Sequence, residues 1–188
     1  MTKKEFYNSV SKGKEDVLQQ LLDLLDMLKI DYCVIGGLAV NAYAEPVVSL
    51  DLDIVLVAGA IEDFLVETKK VFKAEKFPHS VNFSSPQSDI RIQVQTNLCY
   101  QDFISRASTK EVMGYRMKVA SLDDVLQGKI WAYSDEQRRG SKRQKDLADI
   151  FRLVESYPEL KEKLPENIKV VSRSFCKFDL IVTPLNTY

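Results

Sequence analysis

The stretch that decides the fold occupies residues 32–56 and reads YCVIGGLAVNAYAEPVVSLDLDIVL. It opens with an apolar run, residues 32–35, that stops abruptly at the Gly36-Gly37 pair. Residues 38–44 have a helix-compatible composition until Pro46 ends the pattern. The sequence therefore predicts a strand, a tight turn and a helix in succession.

Two aspartates lie in the extended segment that follows, residues 47–57. Apolar side chains at positions 52, 54 and 56 alternate there with Asp51 and Asp53. Since successive strand residues point to opposite faces of a sheet, the two carboxylates are predicted to share one face. Carboxylates in this arrangement can bind one hard cation such as Mg²⁺ or Mn²⁺. The alternative is an exposed strand face that binds nothing.

The glycine pair is a candidate phosphate site. The start of a helix offers unpaired backbone N–H groups to an anion, and glycine lets a ligand approach the backbone closely. Gly36 and Gly37 are therefore predicted to hold the phosphates of a nucleotide, unless they only end a strand.

The remaining chain alternates helical and strand patterns. Helical spacing predicts helices over residues 15–29, 61–72, 100–107, 122–133 and 145–156. Alternation predicts strands within 78–86 and over 89–96, and residues 111–119 around Gly114 suggest a hairpin or a bent strand. Residues 135–142 are predicted as a basic loop, and residues 169–171 and 178–182 as strands or a wrapping tail.

Length and composition place limits on the protein class. We expect one domain from 188 residues that are 45% hydrophobic, with a sheet-bearing core over about 14–119 and a helical lobe and tail over about 120–188.

A net charge of -1 gives no global basic field for nucleic acid. Three scattered cysteines predict neither a disulfide framework nor a zinc site. Without a signal-like start or a long apolar run, we expect no membrane contact and a cytoplasmic location.

Residues 34–37 and 49–54 together resemble the glycine-pair and paired-aspartate signature of the polymerase-beta-type nucleotidyltransferase superfamily. Within it the chain looks closest to the branch of AbiEii-type toxins and related small bacterial proteins, because residues 120–129 and 143–150 are similar to the helical lobe of that branch. The resemblance implies an α/β nucleotidyltransferase-like fold: a small mixed, twisted sheet flanked by helices, with a helical C-terminal lobe.

The same resemblance implies a function. It implies metal-dependent transfer of a nucleoside monophosphate from a nucleoside triphosphate to a hydroxyl of RNA or protein, with a cognate antitoxin as partner. Asp51 and Asp53 would hold the metal, Ser49 would contact a phosphate, and Lys129 would face the triphosphate. The alternatives are a surface serine on a strand and a solvated helical lysine.

One strand departs from the family pattern. Family enzymes place a third carboxylate on a neighbouring strand, where this chain presents Gln93 and Gln95, with Asp89 at the strand entrance. An amide binds metal weakly and cannot accept a proton. Three alternatives follow: Asp89 substitutes from an unusual position, the acceptor is activated otherwise, or the site belongs to a nucleotide-binding or regulatory module that has lost turnover.

A dense basic cluster is the last candidate feature. Within this near-neutral chain it is the best candidate for contact with RNA or phosphate, although a solvated loop and helix start would show the same pattern. Its members are Arg138, Arg139, Lys142, Arg143 and Lys145.

Overall fold

The computed structural model describes residues 1–69 and 71–176, so the predicted segment 178–182 lies outside it. A seven-stranded mixed sheet is its centre, in the order β3-β4-β5-β2-β1-β7-β6. The strands are β1 (Tyr32–Ile35), β2 (Asp51–Leu56), β3 (Lys73–Phe77), β4 (Ser80–Ser85), β5 (Ser88–Gln95), β6 (Ser108–Val112) and β7 (Tyr115–Val119).

Helices lie on either side of this sheet. They are α1 (Lys3–Val10), α2 (Val17–Met27), α3 (Gly36–Val40), α4 (Ile61–Thr68), α5 (Gln101–Ser105), α6 (Leu122–Ser134), α7 (Gly140–Ser156) and α8 (Glu166–Cys176). Short 3-10 turns cover Leu98–Tyr100 and Pro158–Lys163. Within the described ranges, no helix is long and apolar enough to cross a bilayer.

Strand β2 bears the two aspartates at the middle of the sheet. It runs antiparallel to β1 and parallel to β5. Leu52 and Ile54 are completely buried, whereas Asp51 and Asp53 are only partly buried on the opposite face. The predicted alternation is therefore confirmed, because the apolar row packs into the core and the carboxylate row is left facing the other way.

The C-terminal helices form a lobe beside this strand. Helix α6 packs against α7, and the short helix α3 contacts both of them. Ser121 caps α6 by accepting a hydrogen bond from the backbone N–H of Asp124. The predicted α/β fold is confirmed: a mixed sheet with flanking helices and a helical lobe that faces the carboxylate row.

Several elements differ from the sequence prediction; helix α4, for example, ends at Thr68 and not at residue 72. Three other differences have clear structural reasons. Helix α3 already ends at Val40, because the side-chain amide of Asn41 donates to the carbonyl of Val47 and accepts from its N–H, which turns the chain toward β2. Helix α7 begins at Gly140 and so includes the end of the predicted basic loop. Residues 169–171 belong to α8, not to a strand, since buried Ile168 lies on the helix face packed against the core.

Two elements were not predicted. All five residues of β3 are exposed, so this edge strand has no buried row to produce an alternating pattern. Helix α1 has a mainly polar surface, but its start does have a sequence signal. Thr2 and Glu5 form a capping box, the Ser/Thr-x-x-Glu pattern of helix starts.

Helix α1 fixes the segment that leads into β2. Its Tyr7 is completely buried, and its hydroxyl donates a 2.7 Å hydrogen bond to the carbonyl oxygen of Ser49. Burial raises the pKa of Tyr7 well above its usual value, and the nearby charge of Asp51 raises it further. The hydroxyl therefore remains protonated and keeps its role as donor.

We expect Tyr7→Phe to lower the free energy of unfolding by about 1–3 kcal/mol, because the buried Ser49 carbonyl would lose its donor. Urea unfolding followed by circular dichroism measures this change. A variant as stable as the parent would show that this hydrogen bond does not hold the Ser49 segment in place.

Candidate active site

A cleft of about 420 Å³ lies between the carboxylate face of the sheet and the helical lobe. The sheet contributes Ser49, Asp51 and Asp53, and the turn after β1 contributes Gly36 and Gly37. Helices α6 and α7 and the loop between them supply the opposite wall. The chain fold thus brings the predicted metal and phosphate residues into one cavity.

Gly36 touches the carboxylate of Asp53. The backbone φ of Gly36 is +69°, and a Cβ atom added there would lie 2.2 Å from Oδ2 of Asp53. The contact follows from the sheet register, in which Ile35 is opposite Asp53. Gly37 is less constrained, since its added Cβ would lie 3.6 Å from the Ser49 hydroxyl oxygen. Only glycine is therefore compatible with position 36.

Burial is the main influence on the Asp53 carboxyl and raises its pKa. Lys129 acts in the opposite direction, Asp51 raises the pKa further, and Arg138 and Lys142 lower it. A buried carboxylate beside a second carboxylate is costly to ionise unless positive charge is close. A bound cation would supply that charge.

The donor set fits a divalent metal ion that takes part of its coordination from a ligand. Asp51 and Asp53 provide hard oxygen donors, and Mg²⁺ is usually held by one or two carboxylates together with phosphate oxygens and water. Across residues 1–69 and 71–176, no group of three or more His, Cys, Asp or Glu side chains is placed to hold a metal. Two carboxylates leave most of the coordination of such an ion to phosphate oxygens and water, as in a metal–nucleotide complex.

Arg91 forms an ion pair with one of these two carboxylates. Its guanidinium nitrogen lies 2.8 Å from Oδ1 of Asp51, its partner in the sheet register. The ammonium of Lys142 lies 3.9 Å from the other oxygen of Asp51. Both contacts reduce the repulsion between the two aspartates.

The positions considered for a third carboxylate are separated in the structure. Gln93 lies opposite Asp53 in the register, and both Gln93 and Gln95 line the cleft. Asp89 lies outside the cleft lining, where its carboxylate forms a 3.0 Å ion pair with Lys12. Its place at the start of β5 puts it beyond the end of β2 that bears Asp51.

Lys129 lies in the lobe wall, held between two acids. Its ammonium is 2.9 Å from Oδ1 of Asp146 and 2.7 Å from Oδ2 of Asp149, and all three side chains are buried. Burial alone lowers the pKa of Lys129, but the charges of Asp149 and Asp146 outweigh it and raise the pKa above its usual value. The amine therefore stays positively charged beside the cleft.

The basic cluster divides between cleft and surface. Arg138, Lys142 and Lys145 line the cleft, and the Nε of Arg138 also donates to Asp146 at 2.7 Å. Arg143 instead donates to the carbonyl oxygen of Tyr133 and lies over its ring. Arg139 is the residue before α7 and does not line the cleft. The three cleft cations face Asp51 and Asp53 from the lobe.

Several cleft residues were missed from the sequence. Asn82 lies between buried Val81 and Phe83 on β4, so alternation within the predicted strand could have placed it on the aspartate face. Tyr100 lines the cleft and packs edge-on against Phe103 and Trp131. No local pattern indicates that contact, because it depends on the packing of α6 against the segment before α5.

Solved structures with a similar fold include nucleotidyltransferases. ANT(2'')-Ia in complex with adenylyl-2''-tobramycin is 14% identical, with 84% of this chain and 95% of that chain covered and a TM-score of 0.59. The lincosamide antibiotic adenylyltransferase LnuA, lincomycin-bound, is 14% identical, with 76% and 99% covered and a TM-score of 0.53.

A nucleotidyltransferase-like protein from Paracoccidioides brasiliensis is 21% identical, with 73% of each chain covered and a TM-score of 0.50. No family model matches the chain, and no curated protein matches it. At these identities the likeness extends to the fold, which is the nucleotidyltransferase fold.

We expect Gly36→Ala to lower the free energy of unfolding by about 2 kcal/mol or more, because it combines a strained backbone with a clash against Asp53. Chemical denaturation measures the loss. Gly37→Ala is the matched control and should unfold at nearly the parent's denaturant concentration, since its Cβ makes only ordinary contacts. Equal effects of the two substitutions would contradict the proposed contact.

Proposed function

We propose that this protein transfers a nucleoside monophosphate from a nucleoside triphosphate to a hydroxyl acceptor, with Mg²⁺ or Mn²⁺ bound by Asp51 and Asp53. The main support is the Asp53 carboxylate set against Gly36 in a cleft whose opposite wall is cationic. Negative and positive groups face each other there across a space of small-molecule size. A metal–triphosphate complex matches both walls.

Each wall has a separate task in this proposal. A metal ion at the aspartates would neutralise phosphate charge. Gly36, Gly37 and Ser49 would contact the phosphates; helix α3 has only five residues, so most positive charge must come from side chains. Lys129, kept charged by its two acidic partners, would stabilise the negative charge that develops on the leaving pyrophosphate. Arg138, Lys142 and Lys145 would add to the same field.

The acceptor and partners are a finer part of the proposal. An AbiEii-like role would make the acceptor a hydroxyl of RNA or protein, with a cognate antitoxin as partner and the cytoplasm as the location. Two proteins of similar fold are described with lincomycin and with adenylyl-2''-tobramycin, which are antibiotic-type molecules. The reaction needs only a hydroxyl placed in line with the leaving pyrophosphate.

The second candidate is a nucleotide-binding or regulatory module without turnover. Its support is the 2.8 Å ion pair between Arg91 and Asp51, together with an amide, Gln93, opposite Asp53. These residues place a positive charge and an amide where a third carboxylate would act as metal ligand or base. In such a module the nucleotide would bind and remain intact.

We expect Mg²⁺ with at least one nucleoside triphosphate to raise the melting temperature of the parent, because a ligand that prefers the native state stabilises it. Asp51→Asn and Asp53→Asn should remove this shift. Asp31→Asn, which changes an exposed acid paired with Lys118, is the control and should retain it. Differential scanning fluorimetry over a nucleotide and metal titration is the measurement.

The Asp53→Asn variant also tests how the stability of the ligand-free protein depends on pH. Since burial raises the pKa of Asp53 in the folded state, the folded protein holds this proton more tightly than the unfolded chain. Asp53 therefore destabilises the ligand-free protein above its folded pKa, and stability returns as the pH falls through that pKa. Asp53→Asn should raise stability at neutral pH and remove this pH dependence; a less stable Asp53→Asn variant would contradict the assignment.

Label transfer from an alpha-labelled nucleoside triphosphate to RNA, protein or small hydroxyl compounds separates the enzyme from the module. We expect the parent to transfer label and Asp51→Asn to lose it, with Gln93→Asp giving only a modest change. A parent that binds Mg²⁺ and nucleotide yet transfers nothing, while Gln93→Asp gains transfer, would favour the module, because the new carboxylate restores a metal ligand and base.

A further inference from the structure

We propose that the part of the cleft floor formed by β3, β4 and β5 is an acceptor subsite, and that it takes a neutral, polyhydroxylated small molecule such as an oligosaccharide. This inference rests on the proposed transfer reaction and names its acceptor class. We define the acceptor floor as Glu75, Asn82, Ser84 and Gln93, which all line the cleft.

The sheet register places the acceptor floor beside the aspartates. Gln93 is opposite Asp53, Asn82 is opposite Gln93, and Glu75 is opposite Asn82. Adjacent strands are about 4.8 Å apart, so this row extends about 14 Å from Asp53. A molecule lying along the row would bring one of its hydroxyls to the aspartates while its other groups contact the floor.

A second row runs parallel to the first. It crosses from Asp51 to Arg91, then to Ser84 and Lys73 in the register. The charge of Arg91 is opposed by Asp51 at 2.8 Å, and the opposite charges of Lys73 and Glu75 lie on neighbouring positions of one strand face. The floor is therefore close to neutral. The lobe wall keeps a net positive charge, because its cleft-lining acids Asp124 and Asp146 are outnumbered by four cleft-lining cations, Lys129, Arg138, Lys142 and Lys145.

The chemistry of the acceptor floor matches hydroxyl groups. Amide and hydroxyl side chains both donate and accept hydrogen bonds, as sugar hydroxyls do. A polyanion such as RNA gains its affinity from cations next to its phosphates. The net positive charge lies on the lobe wall, where it faces the triphosphate in the proposed reaction, whereas Arg91 and Lys73 on the floor strands have acidic neighbours and Glu75 would repel a phosphate.

Asn82 gives the floor an unused hydrogen-bonding atom. Within the described part of the chain, its side-chain oxygen is sealed from solvent and has no hydrogen-bond partner. Leaving such an atom unpaired costs the protein its desolvation without a compensating bond, and native proteins rarely retain it without a reason. Rotation of the Asn82 amide about its Cβ–Cγ bond would turn this oxygen toward the cleft that Asn82 lines, where a ligand hydroxyl would pair with it and remove the cost.

The transfer step balances with this acceptor. The acceptor hydroxyl oxygen forms a bond to the alpha phosphorus, and the bond from that phosphorus to the bridging oxygen of pyrophosphate breaks. Pyrophosphate leaves with the bonding electrons, and the hydroxyl proton is released to water. The product is a neutral polyol converted to a nucleoside monophosphate ester, without any oxidant or reductant.

Saturation-transfer-difference NMR tests the subsite without requiring turnover. The probes are myo-inositol, trehalose and maltotriose, with total tRNA tested separately for binding by filter retention. We expect at least one of the three polyols to bind the parent, and Asn82→Ala to weaken it about 10-fold or more, since a site built for a hydroxyl loses strongly when the partner is removed. Glu75→Gln should also weaken it.

Lys76→Gln is the matched control, because Lys76 neighbours Glu75 on β3, lies outside the cleft lining and pairs with Glu62. It should bind the polyol as the parent does. Asn82→Ala should keep or raise the melting temperature, since it removes an unpaired buried oxygen; a merely structural asparagine would lower it. Polyol binding unaffected by Asn82→Ala, tRNA binding without polyol binding, or no polyol binding at all would each overturn the proposal.

The nucleotide titration distinguishes a wrong acceptor-floor proposal from a wrong transferase proposal. A parent that gains thermal stability with Mg²⁺ and a nucleoside triphosphate but binds none of the polyols keeps the transferase proposal and rejects the acceptor floor. A parent that binds a polyol through Asn82 yet shows no nucleotide-dependent shift rejects the transferase proposal and supports a polyol site on this face. Each proposal can therefore be rejected without rejecting the other.

Discussion

The contact between Gly36 and the carboxylate of Asp53 is the constraint on which the rest of the site depends. A side chain at position 36 would occupy the space of the Asp53 oxygen, and the positive φ of Gly36 turns the chain out of β1 at that point. Helix α3 leaves in the direction set by this turn and contacts both α6 and α7. The position of Asp53 in the sheet therefore also influences where the helical lobe packs.

The lobe adds charge to the cleft at some cost in stability. Lys129, Asp146 and Asp149 are buried together, and ion pairs of this kind contribute little net stability because desolvation offsets the Coulomb attraction. What they fix is position: Arg138 donates to Asp146 and Arg152 donates to Asp149, so both acids are held beside the ammonium of Lys129. An apolar trio would pack as well but would leave no charge beside the triphosphate site. The arrangement is easier to explain by function than by folding.

The sequence predicted what depends on local periodicity and missed what depends on long-range packing. The alternation around Leu52 and the capped start of α6 required only neighbouring residues, and both were confirmed. The edge strand β3 was missed because both its faces are exposed, and the bond from Tyr7 to Ser49 joins residues 42 positions apart. The acids that hold Lys129 lie on a different helix, so its burial was equally hidden. For the site, spacing indicated which residues share a face, but not how far Asp89 lies from them.

Arg91 links the two unusual features of the site, the missing third carboxylate and the raised pKa of Asp53. Without Arg91, Asp51 would add its full charge beside the Asp53 carboxyl, whose ionised form burial already disfavours. The ion pair with Arg91 partly neutralises Asp51 and so reduces the repulsion between the two carboxylates. The side chain of Arg91 is 69% exposed, so solvent screens its ion pair with Asp51 and the pair contributes little to stability. A third carboxylate in its place would strengthen metal binding but would make the metal-free site more repulsive, and a single arginine avoids that conflict.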